Sequence, residues 1–201
     1  GGNLHAYSLQ AGFEAGSRGE VTVSGSGTTL SIDTYASIGD SGSGLLRIEN
    51  GAGGEIGGTL WVGYNIGANG TLEVDGGTLT VYDNGVFGRA GVATGAISNG
   101  AIVNIAGDFT FGSEDTGSGV LTVTGPGSEL TVTGDVIVGK AGDGLLRIED
   151  QGHVFVGYDL VVGDEATASG TLVVTGGTLS VIDDVDFGYR GHATGTFSGG
   201  A

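Results

Sequence analysis

The chain has 201 residues, of which 46 are glycine and one is proline, and it contains no cysteine. The absence of a Gly-X-Y period excludes collagen, and a mean hydropathy of +0.20 argues against a disordered chain. The formal net charge is −17, so the surface repels a phosphate backbone and we expect no nucleic-acid partner. No apolar run approaches the roughly 18 residues needed for a membrane span.

A long internal repeat decides the fold class. Gly44–Glu49 recurs unchanged as Gly144–Glu149, and residues 19–101 match residues 119–201 at 38 of 83 positions without a gap. The predicted organisation is one continuous solenoid over residues 1–201. In it, residues 1–18 end a preceding coil, residues 19–118 form a first copy of four coils, and residues 119–201 form a truncated second copy.

A shorter period of about 25 residues lies inside each copy. One glycine column opens a strand, at Gly19, Gly44, Gly70, Gly95, Gly119, Gly144, Gly170 and Gly195. A second column closes another strand, at Gly12, Gly39, Gly63, Gly88, Gly112, Gly139, Gly163 and Gly188. A glycine at the same turn of every coil indicates positive φ or a close approach to the next coil, which is a structural role.

Within a coil, three strands follow one another in chain order. The first alternates apolar and polar residues, as in residues 70–74; the second follows a turn, as in residues 78–81; the third ends on the closing glycine, as in residues 160–163. Alternation indicates one buried and one solvated face.

The inward positions keep their register from coil to coil. On the first strand they are Val21, Leu46, Leu72, Ile97, Leu121, Leu146, Leu172 and Phe197, with a companion column of Val23, Ile48, Val74, Asn99, Val123, Ile148 and Val174. On the third strand they are Leu9, Ala36, Leu60, Gly85, Phe109, Val136, Leu160 and Val185. We therefore predict an all-β parallel β-helix (β-solenoid) of about eight coils with three strands each, wound right-handed. The repeat is too short for a propeller blade, and a sandwich needs no such columns.

The run from Gly119 to Val132 and its continuation from Gly134 to Gly144 resemble a repeat of large exported bacterial proteins. It is similar to the repeat of autotransporter passenger domains and of PEP-CTERM-associated proteins. The resemblance covers nearly the whole chain. It implies an exported β-helical rod with adhesive, biofilm or surface-layer roles, located outside the cell or on its surface.

A polar column lies four residues before each closing glycine. It reads Ser8, Tyr35, Thr59, Asn84, Asp108, Asp135, Asp159 and Asp184. The favoured interpretation is turn chemistry, because Asp, Asn, Ser and Thr all bond to backbone at turns. The alternative is a calcium ladder on Asp108, Asp135, Asp159 and Asp184, since hard oxygen ligands suit this ion. No other cofactor is expected.

Other candidate positions give weaker signals. Trp61, the single tryptophan, alternates with inward Leu60 and Val62 and is predicted to face outward, where it offers a contact for sugar or another chain. Pairs of opposite charge on neighbouring coils, such as Arg47 with Glu73, indicate register-setting ion pairs. Lys140, between two acidic turns, and Arg190, which aligns with Glu165, are assigned the same role. The three histidines lie in different parts of the coil and form no catalytic constellation.

The sequence thus favours a structural rod or filament segment over an enzyme. We expect self-association or continuation of the same solenoid end to end, because open strand edges accept further strands. An adhesive module that binds carbohydrate or a cell surface is the alternative. A polysaccharide-active enzyme is remote, because no turn is expanded enough to build the walls of a groove.

Overall fold

The computed structural model describes residues 1–199; residues 200 and 201, the end of the predicted second copy, lie outside the described residues. The chain forms 24 strands in three eight-stranded sheets, and every pairing between named strands is parallel. This confirms the predicted all-β solenoid. The described residues contain no helix, and therefore none long and apolar enough to cross a membrane.

Each sheet collects one strand from every coil, and strand length distinguishes the sheets. Sheet 1 has seven-residue strands: β3 (Arg18–Ser24), β6 (Ser43–Glu49), β9 (Asn69–Asp75), β12 (Val92–Ser98), β15 (Ser118–Thr124), β18 (Asp143–Glu149), β21 (Ser169–Thr175) and β24 (His192–Ser198). Sheet 2 has four-residue strands: β1 (Asn3–Ala6), β4 (Thr29–Ile32), β7 (Gly53–Ile56), β10 (Thr78–Val81), β13 (Ile102–Ile105), β16 (Glu129–Val132), β19 (His153–Val156) and β22 (Thr178–Val181). Sheet 3 has three-residue strands: β2 (Leu9–Ala11), β5 (Ala36–Ile38), β8 (Leu60–Val62), β11 (Gly85–Phe87), β14 (Phe109–Phe111), β17 (Val136–Val138), β20 (Leu160–Val162) and β23 (Val185–Phe187).

Coil 1 comprises β1–β3, coil 2 comprises β4–β6, and so on to coil 8, β22–β24. Each strand hydrogen-bonds to its counterpart in the next coil, so equivalent residues lie on top of one another about 4.8 Å apart. One apolar core runs through the stack, and its inward residues, such as Leu46, Ile56 and Val138, are fully buried. Because every coil covers the next, burial extends along the rod axis.

The predicted inward columns are correct on sheet 3 but wrong in two coils of sheet 1. Gly95 lies opposite Leu72 and Leu121, and Ile97 lies opposite Val74 and Val123. The prediction therefore placed both residues one inward position too early along the strand. The same shift moves Gly195 and Phe197. Ala93, opposite Gly70, takes the position assigned to the opening glycine. Asn99 lies outside the core, exposed in the next turn with a φ of 55°.

Gly95 occupies an inward position because a bulky side chain, that of Phe87, fills the core beside it. A Cβ on Gly95 would lie 2.6 Å from Cε1 of Phe87 and 2.8 Å from Cδ1 of Leu121. Phe87 packs at 5.2 Å from Phe109 and 5.8 Å from Phe111, measured between ring centroids. The glycine therefore stands at an inward position so that the phenyl ring can fill the space.

The turns between sheet 3 and sheet 1 alternate in length. They have six residues after β2, β8, β14 and β20, but four residues after β5, β11, β17 and β23. Each six-residue turn is closed by a backbone hydrogen bond, such as that from the amide of Gly117 to the carbonyl of Glu114 at 2.8 Å. Long turns therefore recur on every second coil along one edge of the rod.

Candidate functional site

The aspartate column forms a ladder of hydrogen bonds between coils. The side chain of each member accepts a bond from the backbone amide of the next member. Asn84 Oδ1 accepts from Asp108 at 2.8 Å, and the carboxylates of Asp108, Asp135 and Asp159 accept from Asp135, Asp159 and Asp184, each at 3.0 Å. The column lies in the three-residue corners that precede β11, β14, β17, β20 and β23. This geometry is the side-chain-to-backbone chemistry of the turn interpretation, extended across coils.

The ladder explains how like charges are tolerated at a spacing of about 4.8 Å. Each amide brings a partial positive charge to the carboxylate below it, and a charge-assisted bond of this kind is stronger than a neutral one. Glycine makes the approach possible, since a Cβ on Gly134 would lie against the Oδ1 atom of Asp108. The stacked aspartates are therefore built into the backbone of the corner.

The calcium ladder remains a prediction. Carboxylate oxygens of Asp159, Asp183 and Asp184 lie within 4.8 Å of one another, a spacing that a cation bridges. Within the ladder, however, Asp108, Asp135 and Asp159 each commit one oxygen to an amide. Each of these carboxylates keeps its second oxygen, and one lone pair of the first, for an ion.

Two substitutions of Asp135 separate hydrogen bonding from charge. Asp135→Ala leaves the amide of Asp159 without its acceptor, and we expect the free energy of unfolding to fall by about 1 kcal/mol. Asp135→Asn keeps an acceptor, as Asn84 does in the same column, and removes one of the stacked charges. We expect it to match or exceed the parent in a melting experiment at low salt in chelator. An equal loss of stability in both variants, together with stabilisation of the parent alone by added calcium, would favour a metal ligand.

Beside the aspartates runs a column that the sequence analysis missed. The central residue of each sheet 3 strand faces outward, and on coils 3 to 7 these residues are Trp61, Val86, Thr110, Ile137 and Val161. Each is half-buried, and each lies two residues after a member of the polar column, on the same face. The signal was present in the sequence: β17 reads Val-Ile-Val and β20 reads Leu-Val-Val, without the polar residue that alternation requires.

Trp61 lies at one end of this column, facing outward as predicted, and it is packed between two tyrosines. Its ring centroid lies 5.6 Å from that of Tyr35 and 5.4 Å from that of Tyr64, both edge-on. The guanidinium of Arg89 lies 4.6 Å from the Tyr64 ring and binds Glu114 at 2.6 Å. The tryptophan is thus part of an aromatic cluster that crosses two coils.

Ion pairs link neighbouring coils. Arg47 bonds Glu73 in the next coil at 2.7 Å, which confirms that prediction; this hydrogen bond and the carboxylate charge raise the pKa of Arg47. Arg190 pairs with Asp164 at 3.5 Å, although the sequence analysis aligned it with Glu165. Lys140, in the short turn between two acidic long turns, forms no ion pair within 4.0 Å among the described residues. These exposed pairs are each worth about 0–1 kcal/mol.

The closing glycines adopt a left-handed backbone. Their φ values lie between 58° and 76° at Gly12, Gly39, Gly63, Gly88, Gly112, Gly139, Gly163 and Gly188. Most also lie against the next coil: a Cβ on Gly139 would be 2.7 Å from the carbonyl oxygen of Ser169. The turn therefore requires glycine at Gly139 both for its φ and for the close contact between coils.

The substitution Gly139→Val is expected to unstack the coils locally and to lower the melting temperature. Gly16→Val is the matched control, because Gly16 has a φ of 77° but no atom lies within 4 Å of its Cβ position. The control pays only the left-handed penalty of about 1–2 kcal/mol. Gly139→Val adds the clash, for a loss above about 3 kcal/mol. Equal losses in the two variants would show that the contact between coils is unimportant.

The histidines are dispersed. The imidazole of His5 bonds Asp33 at 3.2 Å at the first coil, whereas His153 begins β19 and His192 begins β24. Among residues 1–199, no hydrogen bond joins a histidine to a serine hydroxyl. The geometry assembles no Ser-His-Asp triad in this part of the chain.

Comparisons with known proteins give one informative match. The chain is 32% identical over 196 residues to the uncharacterized lipoprotein YdeK of Escherichia coli (strain K12). The match covers 90% of this chain but only 14% of that protein, so the chain spans about one seventh of its relative. No protein-family model matches the chain, and no solved structure matches it. The chain is thus a β-solenoid with a lipoprotein homologue.

Proposed function

We propose that the chain is a structural rod segment of a bacterial surface protein, of the exported kind that its repeat resembles. The observation that carries this proposal is the unbroken pairing of all three sheets through eight coils around one core. The homology to a lipoprotein supports a place in the cell envelope. Antibody labelling of intact cells tests for exposure outside the cell. The proposal assigns no catalytic step to this segment.

The two end coils support an end-to-end association. Inward side chains that are buried in the middle of the stack are exposed there: Val185 is 48% exposed in coil 8, whereas its partner column member Val136 is fully buried. Leu4 in coil 1 is 51% exposed. The edge strands also offer unpaired backbone groups. We propose that these edges bind further coils, from the same solenoid or from a second copy.

The internal repeat supplies a template for such a junction. At the offset of 100 residues, coil 8 corresponds to coil 4 and coil 1 corresponds to coil 5. Coils 4 and 5 pair along all three sheets, with β10, β11 and β12 bound to β13, β14 and β15. Coil 8 of one copy and coil 1 of another have strands of the same three lengths. Stacking of two copies therefore repeats an arrangement already present within the chain.

Electron microscopy of the purified chain tests the association. We expect filaments with a repeat near 19 Å or a multiple of it, because four coils at about 4.8 Å give that length. Val185→Asp places a charge in the end contact and should shorten the filaments. Asp186→Asn, which changes the neighbouring outward residue, is the control and should leave them unchanged. Discrete rods at every concentration would contradict self-association.

An adhesive module is the second candidate function. The observation that favours it is the outward aromatic cluster of Tyr35, Trp61 and Tyr64, which has no counterpart in the second copy of the repeat. A pure spacer needs no such cluster.

A further inference from the structure

The outer surface of sheet 3 differs from the outer surfaces of the other sheets. Its central coils present the sheet 3 strip, defined as Trp61, Val86, Thr110, Ile137 and Val161. On sheet 1, the outward residues of β9 are Thr71, Glu73 and Asp75. Four of the five strip residues are apolar, in two pairs separated by Thr110, and they run beside the stacked aspartates. Outward apolar residues on sheet 1, such as Val120 and Leu145, have no stacked aspartates beside them.

The fold does not require apolar side chains in this column. The corresponding residues are Gln10 in coil 1, Ser37 in coil 2 and Asp186 in coil 8. The difference in polarity is largest between the two copies of the repeat. At the 100-residue offset, Ile137 corresponds to Ser37 and Val86 corresponds to Asp186. Equivalent coils therefore fold with either polarity, and the core does not dictate the choice.

The carboxylates beside the strip lack counter-ions. Asp108, Asp135 and Asp159 lie two residues before Thr110, Ile137 and Val161, respectively. Each uses one oxygen in the ladder, and none forms an ion pair within 4.0 Å among the described residues. With a net charge of −17, the chain attracts cations and repels anions at this surface.

We propose that the sheet 3 strip and its carboxylate column form a docking surface for a cationic polypeptide segment that carries apolar side chains. The strip is one side chain wide because each sheet 3 strand has three residues, so it suits a narrow segment that lies along the rod axis. It extends over roughly 19 Å, four spacings of about 4.8 Å. Apolar side chains of the partner cover the strip, and its Lys or Arg residues pair with the aspartates.

This surface goes beyond the rod role and can be tested without filaments. Trp61 is the only tryptophan and stands at one end of the strip, so its fluorescence reports binding directly. The probe is a synthetic peptide of alternating Lys and Leu, titrated in chelator. The comparison ligands are a Glu/Leu peptide of the same length, a Lys/Ser peptide and a neutral glucan. We expect saturable binding of the Lys/Leu peptide, weakened by salt, and at least about tenfold weaker binding of the other three.

Variants locate the site. The triple change Asp108→Asn, Asp135→Asn and Asp159→Asn removes charge but keeps the ladder, as Asn84 shows, and should weaken peptide binding by about tenfold or more. Ile137→Thr with Val161→Thr should weaken it by about fivefold. Leu145→Thr with Val173→Thr is the matched control, on the outer face of sheet 1 in the same two coils, and should change binding by less than about twofold.

Three results overturn the proposal: parent-like binding in both test variants, equal loss in the sheet 1 control, or equal binding of any of the three comparison ligands. Thermal melting confirms that each variant is folded. If the triple variant unfolds, the single change Asp135→Asn replaces it. Weaker peptide binding with a smaller salt dependence in that variant is then the expected result, and parent-like binding contradicts the proposal. Filament formation is scored separately, so failure of this proposal leaves the rod proposal standing.

Discussion

Backbone pairing between successive coils is the constraint on which the rest of this structure depends. Because every strand bonds its counterpart in the next coil, each residue is stacked on its equivalents at about 4.8 Å along the whole rod. Each side chain must therefore pack against the side chains at the equivalent positions of the coils above and below it. Apolar inward residues satisfy this condition by packing together, and carboxylates satisfy it only with compensation from amides of the next coil.

The same constraint limits the turns. A closing glycine such as Gly139 has a left-handed φ and touches the strand of the following coil, so any side chain there would separate the stack. Turn length is freer, since four-residue and six-residue turns alternate along one edge without disturbing the sheets. The turns, which lie outside the hydrogen-bonded sheets, tolerate extra residues, whereas the strands within each sheet keep a constant length.

The near-duplication of the chain separates what the fold needs from what it permits. Gly44–Glu49 and Gly144–Glu149 are identical in sequence and have the same burial pattern. By contrast, Trp61 corresponds to Val161, Tyr35 to Asp135 and Tyr64 to Asp164. The aromatic cluster therefore belongs to one copy only. The cluster lies at the surface, where we expect a function that differs between the two copies of the repeat.

Most of the fold could be predicted from the sequence because stacked coils repeat their inward residues at a constant period. The prediction failed at Gly95 and Ile97, where periodicity alone could not show that the ring of Phe87 needs the space of a missing side chain. The aspartate column was found, but its acceptor role depends on corner geometry that spacing does not reveal. The outward column of sheet 3 was missed although β17 and β20 lack the polar residue of an alternating strand, because a short run of apolar residues is also what a strand buried on both faces shows.

Small-angle X-ray scattering of a lengthened chain tests the central claim most directly. A second copy of residues 19–118, inserted between residues 118 and 119, joins Ser118 to Gly19, the equivalent of Gly119. If coils stack by pairing, the particle should lengthen by about 19 Å while its cross-section stays constant. A particle that grows in all directions, or an inserted copy that fails to fold, would contradict the account.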